Sequence, residues 1–259
     1  MPGLFRDPAE TVTRMSGVQR THYAVMKTMK RNWAVASFRL RDVSRPLAFL
    51  EERKAAGQRI TFVALVIRAV AVALSKHPKL GWMIRGWKLV QPSAADIGCS
   101  VGTESPVSPV VVVRDAGRKS LQAVHEELGR LAVEARDKEA EELAKIERLA
   151  RLIPIGWLFR LAVWFLMTRQ RFLRHAVGNF QVTVVNNTGA DFAVTSMAAA
   201  STLLVGRIKD RVLVEDGKPV VRPAAYFCLH FDHAVHGARD GYFFMEEVYR
   251  LLDHPEELL

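Results

Sequence analysis

The chain has 259 residues, 49% of them hydrophobic and 25% charged, a globular composition that excludes a wholly disordered or fibrous protein. Lysine and arginine number 37 against 27 aspartates and glutamates, so the formal net charge is +10. Such an excess indicates a polyanionic partner: nucleic acid, an anionic membrane or a phosphate-bearing ligand. Two cysteines are too few for a disulfide framework and lack metal-ligand spacing, so we expect a reducing, cytoplasmic location and no metal.

Periodicity and punctuating residues predict the secondary structure of most of the chain. Residues 1–13 are expected to form a short N-terminal arm. The predicted helices are 14–31, Ser44 to near Gly57, 61–77, 120–150 and about Tyr242 to Leu252. The predicted strands are 33–43, 88–91, 95–101, 107–113, 180–185, 203–208, 212–215, 219–221 and 225–231. An Asp216-Gly217 turn is expected to join the strands at 212–215 and 219–221.

Residues 151–178 break this pattern with an apolar, basic segment that contains five arginines and no acid, half of the net charge. Its apolar run, 152–167, includes Arg160 and Pro154 and falls short of the about 20 residues that a transmembrane helix needs. Three other interpretations are a core or oligomer-interface helix, an amphipathic helix on an anionic membrane, and a lid over a hydrophobic channel. The basic cluster Arg169 to Arg174 would suit the phosphates of lipids or of a cofactor.

A histidine motif, F-D-H-A-V-H-G-A-R-D-G, follows the last predicted strand and runs from Phe231 to Gly241. It presents two histidines three residues apart where a loop can expose them to a cavity. A neutral imidazole can accept a proton from a thiol or hydroxyl near pH 7. A histidine at a strand end can equally be structural, and a metal site would need a third ligand that the spacing does not provide.

The flanks of this motif resemble the catalytic domain of dihydrolipoyl acyltransferases, the cores of 2-oxoacid dehydrogenase complexes, and chloramphenicol acetyltransferase, which shares their fold. That family has D-H-R-x-x-D-G, then a helix and a D-P-E-x-L-L-like tail; residues 232–235 and 254–259 are similar here. Further similarities follow in chain order at 60–80, 96–98, 109–121 and 203–223. The resemblance covers most of 14–259. It implies an α+β, two-layer sandwich in which helices cover a mixed β-sheet, with 140–178 as a helical insertion.

The resemblance implies a coenzyme A-dependent acyltransferase that moves an acyl group from a thioester to a thiol, hydroxyl or amine. His233 would be the general base. A serine or threonine hydroxyl of the family stabilises the oxyanion; the matching stretch, 180–183, makes Thr183 the candidate, or Asn186 if Gly189 anchors the alignment. Thr183 could equally be an ordinary strand residue. By the same resemblance we expect a homotrimer, or a multiple of trimers, with the histidine of one subunit against the hydroxyl of the next.

Two residues depart from the family motif: Ala234 replaces its arginine, and Gly237 replaces the aspartate four residues after the histidine. A second register makes His236 the base and Asp240 the aspartate. We favour His233, because only that register keeps the flanking strand and the tail in step. The missing aspartate leaves a catalytically impaired trimeric scaffold as the alternative function.

Chain length and the lack of nucleic-acid-binding motifs restrict the set of expected partners. A lipoyl domain does not fit within 259 residues, so we expect a stand-alone catalytic domain without a lipoyl attachment site. Nothing resembles a helix-turn-helix, zinc finger or RNA-binding signature, so nucleic acid is not expected. The expected partners are acyl-coenzyme A, a small or carrier-bound acceptor, and an anionic membrane surface at the cytoplasmic periphery.

Overall fold

A computed structural model of the protein describes residues 16–29, 34–85, 88–102, 108–153, 155–167, 169–185, 189–195, 199–233 and 235–259. The expected arm, residues 1–13, lies outside the described residues. The described chain forms an α+β fold with a mixed sheet, as predicted.

The main sheet has the strand order β1-β9-β7-β6-β4-β5, with β8 paired to part of β9. Strand β6 lies parallel to both β4 and β7, and the other pairings are antiparallel. A short hairpin, β2 with β3, stands apart from it. The strands are β1 (Ala34–Asp42), β2 (Met83–Arg85), β3 (Lys88–Val90), β4 (Ile97–Ser100), β5 (Val110–Val113), β6 (Phe180–Val184), β7 (Ser201–Val205), β8 (Lys209–Glu215) and β9 (Lys218–Asp232).

Eight helices are described. They are α1 (Gly17–Met29), α2 (Ser44–Ala55), α3 (Phe62–Lys76), α4 (Leu121–Asp137), α5 (Glu139–Leu152), α6 (Gly156–Met167), α7 (Gln170–Val177) and α8 (Ala238–Asp253). Helices α2, α3, α4 and α8 share one hydrophobic core with the sheet. The central helix of this layer is α3. Its N-cap is Thr61, whose Oγ1 accepts a hydrogen bond from the Ala64 amide at 3.3 Å.

Several predicted elements differ in extent from the structure. The helix expected over 120–150 is two helices that meet at Lys138, because α4 packs on α3 whereas α5 turns away to pack on α1. The strand expected at 203–208 is β7, which ends at Val205. The strands expected at 219–221 and 225–231 are one long strand, β9, because β1 pairs with its second half while β8 and then β7 pair along its other edge.

The predicted Asp216-Gly217 turn joins β8 to β9. Both residues have positive φ, 50° and 75°, as the favoured two-residue hairpin turns require. This turn fixes the register of the β8–β9 hairpin.

The segment predicted as an insertion forms a second helical layer. Helices α5 and α6 pack against α1 through a small cluster of Ala24, Ala150, Phe159 and Val163. The chain then returns to the sheet through α7 and Gly178, whose φ is +76° and whose missing Cβ would lie 2.3 Å from the Asp96 carbonyl oxygen. Only glycine permits both that conformation and that approach.

Glu247 on α8 predicts an acid dependence of stability. The guanidinium of Arg250, joined by Lys76, lowers the pKa of Glu247 from 4.5 to about 2. Because the pKa is lower in the folded state, the stabilisation is complete above pH 4.5 and is lost as the pH falls to about 2. Both cations are partly exposed, so solvent screening reduces the effect to about 1 kcal/mol.

We therefore expect Glu247→Gln to flatten the acid limb of the unfolding free energy by about this amount, measured by urea titration at several pH values. The neighbouring Glu246→Gln, whose carboxylate pairs with the exposed Arg39, is the matched control. An acid limb unchanged by Glu247→Gln would contradict this assignment.

Candidate active site

His233 is the first residue after β9, in a tight turn that leads into α8. The turn is closed by hydrogen bonds from the Val235 and His236 amides to the Asp232 carbonyl, at 3.1 and 3.0 Å. Nδ1 of His233 lies 2.8 Å from the His236 carbonyl oxygen. A carbonyl only accepts, so Nδ1 must carry the proton and donate it. In the neutral form of the exposed His233 ring, Nε2 is therefore the nitrogen that can accept a proton.

His236 lies within the protein rather than at its surface. Its side chain is 1% exposed and packs near the Phe231 ring, 6.3 Å between centroids. Its ring nitrogens have no hydrogen-bond partner within the described part of the chain. Burial lowers the pKa of His236, although the charges of Asp232 and Asp240 oppose that shift. Its backbone carbonyl, not its ring, reaches His233.

Asp240 is engaged at the start of α8. Its Oδ2 accepts a hydrogen bond from the Gly237 amide at 3.2 Å, and its Oδ1 lies 3.6 Å from Nζ of Lys79. A carboxylate here satisfies an unpaired amide and complements the positive end of the helix dipole. Asp240 is therefore engaged at the helix start, and its alternative role in the histidine motif stays a prediction.

Thr183 lies on β6, on the opposite side of the sheet from its core-packed neighbour Val182. Its Oγ1 donates to Oγ of Ser100 on β4 at 3.4 Å. Two hydroxyls therefore stand side by side on this face. Sequence reasoning missed Ser100, since a lone serine at a strand end carries no signal until strand order places it beside Thr183. Asn186 lies outside the described residues.

The sheet register separates Thr183 from His233 within one chain. Thr183 pairs with Leu204 of β7, and Leu204 pairs with Cys228 of β9. His233 follows Cys228 by five residues, and an extended chain rises about 3.3 Å per residue, which gives roughly 16 Å along the strand. The two side chains are therefore too far apart to act on one carbonyl group. A site that uses both would need a second copy of the chain.

The sequence of the first half of the chain decides the family. The model of the family described as 2-oxoacid dehydrogenases acyltransferase (catalytic domain) matches residues 7–144, which is more than half of the chain. The protein belongs to this family. The resemblance drawn from the motifs is thereby confirmed.

Curated relatives of this family member include the dihydrolipoyllysine-residue succinyltransferase component of the 2-oxoglutarate dehydrogenase complex of Rickettsia conorii. The two are 25% identical over 266 residues, which cover 100% of this chain and 60% of that relative. The corresponding component from Bartonella vinsonii is 27% identical over 205 residues, 78% of this chain and 42% of that relative. The chain therefore spans about half the length of the curated relatives it matches.

Solved structures share the fold of this acyltransferase-family chain. A probable dihydrolipoamide acetyltransferase from Listeria monocytogenes has a TM-score of 0.73 at 17% identity, over 96% of both chains. Azotobacter vinelandii dihydrolipoamide acetyltransferase has a TM-score of 0.71 at 20% identity, over 96% of this chain and 93% of that one. The crystallographic and enzymatic study of that enzyme concerns the roles of a serine, a histidine and an asparagine in its catalytic mechanism. The asparagine lies four residues after the histidine. Chloramphenicol acetyltransferase has a TM-score of 0.50 at 12% identity, over 94% of this chain and 99% of that one.

One arginine of the predicted phosphate-facing cluster Arg169 to Arg174 makes an ion pair within the chain. Nε of Arg174 donates to Oδ2 of the buried Asp96 at 2.8 Å, so Arg174 ties α7 to the start of β4. Arg174 is therefore engaged within the chain, and the part of this cluster in a phosphate site stays a prediction. Arg169 is exposed and stacks on the Phe165 ring, 4.0 Å from its centroid. Within the described helices, none is long and apolar enough to span a membrane.

Proposed function

We propose that this protein is a coenzyme A-dependent acyltransferase that moves an acyl group from a thioester to a thiol, hydroxyl or amine. Nε2 of His233 takes the acceptor's proton as the acceptor attacks the thioester carbonyl. The resulting oxyanion accepts a hydrogen bond from Thr183 of a neighbouring copy. The tetrahedral species then expels the coenzyme A thiolate, which takes the proton back from His233.

The hydrogen bond between Nδ1 of His233 and the His236 carbonyl is the observation that carries this proposal. It holds the tautomer in which Nε2 is a base, and it orients the ring without a charged partner. The exposure of His233 and the burial of His236 support the first rather than the second as the base.

The separation of His233 from Thr183 supports a site made by two copies. A cyclic arrangement in which each copy contributes a histidine to one neighbour and a hydroxyl to the other gives every copy the same surroundings. We therefore propose a homotrimer or a multiple of trimers. Acyl-coenzyme A and a small-molecule or carrier-bound acceptor are the proposed partners, and the cytoplasm, including its membrane periphery, is the proposed location.

One observation favours a second function, a catalytically impaired trimeric scaffold. The A. vinelandii work concerns an asparagine four residues after the histidine, and the residue at that distance from His233 is Gly237. Asp240 stands four residues after His236, but it is engaged with the Gly237 amide and Lys79. A weakened site of the same fold would follow from the loss of that polar group.

A thiol-release assay separates the two functions. The intact protein is incubated with a panel of acyl-coenzyme A donors and with dihydrolipoamide, alcohol or amine acceptors, and free coenzyme A is measured. Acceptor-dependent release is the expected result. No release for any donor and acceptor, from protein of intact fold and trimeric mass, would favour the scaffold.

Substitution of Thr183 tests the oxyanion role. Thr183→Val keeps the branched shape of the side chain but removes the hydroxyl, and we expect kcat to fall about a hundredfold with little change in KM, because the lost hydrogen bond forms with charge that develops in the transition state. Thr183→Ser should retain most of the activity. Equal kcat in wild type and Thr183→Val would remove Thr183 from the mechanism.

A further inference from the structure

The outward side of α6 is apolar where a surface helix is normally polar. Only Phe159 and Val163 are buried, against α1 and α5. A stripe of large apolar side chains faces outward instead, with Trp157 62% exposed and Trp164 43%. We call this stripe the α6 outer face; it consists of Trp157, Leu158, Leu161, Trp164 and Phe165. The helix thus exposes more large apolar groups than it buries.

Arginines rim this face. Arg160 lies beside the stripe on α6, Arg151 precedes it at the end of α5, and Arg169 follows it; all three are exposed. The sequence from 148 to 190 contains no aspartate or glutamate. The nearest preceding acid in the sequence, Glu147, accepts from the Val18 amide through Oε2 at 3.0 Å, and its Oε1 lies 3.6 Å from Nε of Arg151. Glu147 therefore compensates Arg151 in part, whereas Arg160 and Arg169 form no ion pair within the described residues, so their positive charge at the α6 outer face is uncompensated.

We propose that the α6 outer face docks on an anionic lipid surface. Tryptophan, phenylalanine and leucine bury into the boundary between headgroups and acyl chains, while neighbouring arginines meet lipid phosphates. The helix has 12 residues and therefore lies in the interface rather than crossing the bilayer. Arg169 stacks on the Phe165 ring and therefore lies at the boundary between the α6 outer face and its neighbouring arginines.

A second copy of the chain is a poorer occupant on charge grounds. Pairing two α6 outer faces would bring arginine against arginine. The described apolar groove between β5 and helices α4 and α5, about 570 Å³, carries four glutamates. Three of them already pair within the chain: Glu127 with Lys119, Glu134 with Arg130, and Glu142 with Lys145. It therefore offers little free negative charge to the α6 outer face.

Vesicle flotation tests the docking surface. The full chain is mixed with vesicles of equimolar phosphatidylglycerol and phosphatidylcholine, or of phosphatidylcholine alone. We expect binding to the anionic vesicles that weakens with added salt, because screening reduces attraction between exposed charges. Arg160→Glu with Arg169→Glu should lower the apparent affinity by at least about tenfold, since each basic residue near the surface contributes about fivefold. Trp157→Ser with Trp164→Ser should abolish flotation.

Matched control variants change exposed arginines and exposed apolar residues elsewhere. Arg59→Glu with Arg207→Glu, and Val212→Ser with Val214→Ser, alter exposed positions away from α6 and should leave flotation within about twofold of wild type. Absence of flotation with anionic vesicles, or equal loss in the controls, overturns the proposal. A drop in oligomeric mass of the tryptophan variant without vesicles also overturns it, because a second copy would then cover the face. Acyl transfer in solution is measured separately, so either proposal can fail alone.

Discussion

Substitution of His233 by alanine should reduce the rate of acyl transfer by about a thousandfold, the middle of the range for a general base. Nε2 is the nitrogen left free to accept a proton once Nδ1 donates to the His236 carbonyl. Alanine removes the base without exposing a buried group, because the His233 ring lies at the surface. The measurement is coenzyme A release at saturating donor and acceptor, with trimeric mass and circular dichroism verifying the fold.

His236→Leu is the matched control for this prediction. It removes the buried ring whose nitrogens lack partners within the described residues, but it keeps the backbone carbonyl that orients His233. Activity should stay within a few-fold of wild type, and stability should not fall, since a buried unsatisfied polar group is replaced by an apolar one. Loss of activity in His236→Leu with retention in His233→Ala would reverse the register of the motif.

The motifs of the sequence predicted the fold because each local signal agreed with the others. Alternation predicted β1, helical spacing predicted α3, and Asp216-Gly217 predicted the turn between β8 and β9; all three are confirmed. The break at Lys138 was not predicted, because both flanking segments favour a helix and only packing on different partners, α3 and α1, separates them.

The candidate site was harder to predict than the fold, because strand order is not encoded in any local pattern. The separation between Thr183 and His233 follows from the path β6-β7-β9 and its register. Ser100 enters the site by the same path, since β4 lies beside β6 although 80 residues separate them in sequence. Sequence reasoning named the histidine and the hydroxyl, and the family resemblance placed them on neighbouring subunits. The sheet register gives the physical reason, because it separates the two residues within one chain.

Arg174 shows why composition alone does not reveal which charged side chains are available to a ligand. The arginines from Arg169 to Arg174 suggested a phosphate-facing cluster, yet Arg174 pairs with the buried carboxylate of Asp96. Asp96, 5% exposed, accepts from Nε of Arg174 at 2.8 Å and from Nη1 of Arg114 at 3.3 Å. Its other oxygen accepts from the Asp115 amide at 3.0 Å. This carboxylate therefore joins α7, β4 and the end of β5.

The network predicts that Asp96→Ala lowers the free energy of unfolding by about 2–4 kcal/mol. Removing one partner of a buried pair leaves the remaining charges without compensation, which costs about 3–5 kcal/mol when both are fully buried; here Arg114 and Arg174 keep some solvent contact, and the loss is smaller. Urea unfolding followed by circular dichroism measures the change. Hydrogen exchange should show the largest loss of protection in α7.

Glu215→Ala is the control for this stability prediction. It removes a carboxylate that accepts two hydrogen bonds from Arg222 at 3.0 Å but lies exposed on β8. An exposed pair contributes at most about 1 kcal/mol, so the two variants should differ clearly. Similar losses in Asp96→Ala and Glu215→Ala would mean that the buried network adds nothing beyond a surface ion pair. A large loss confined to Asp96→Ala, with α7 opening first, would mean that this one carboxylate anchors the second helical layer to the sheet that carries Thr183.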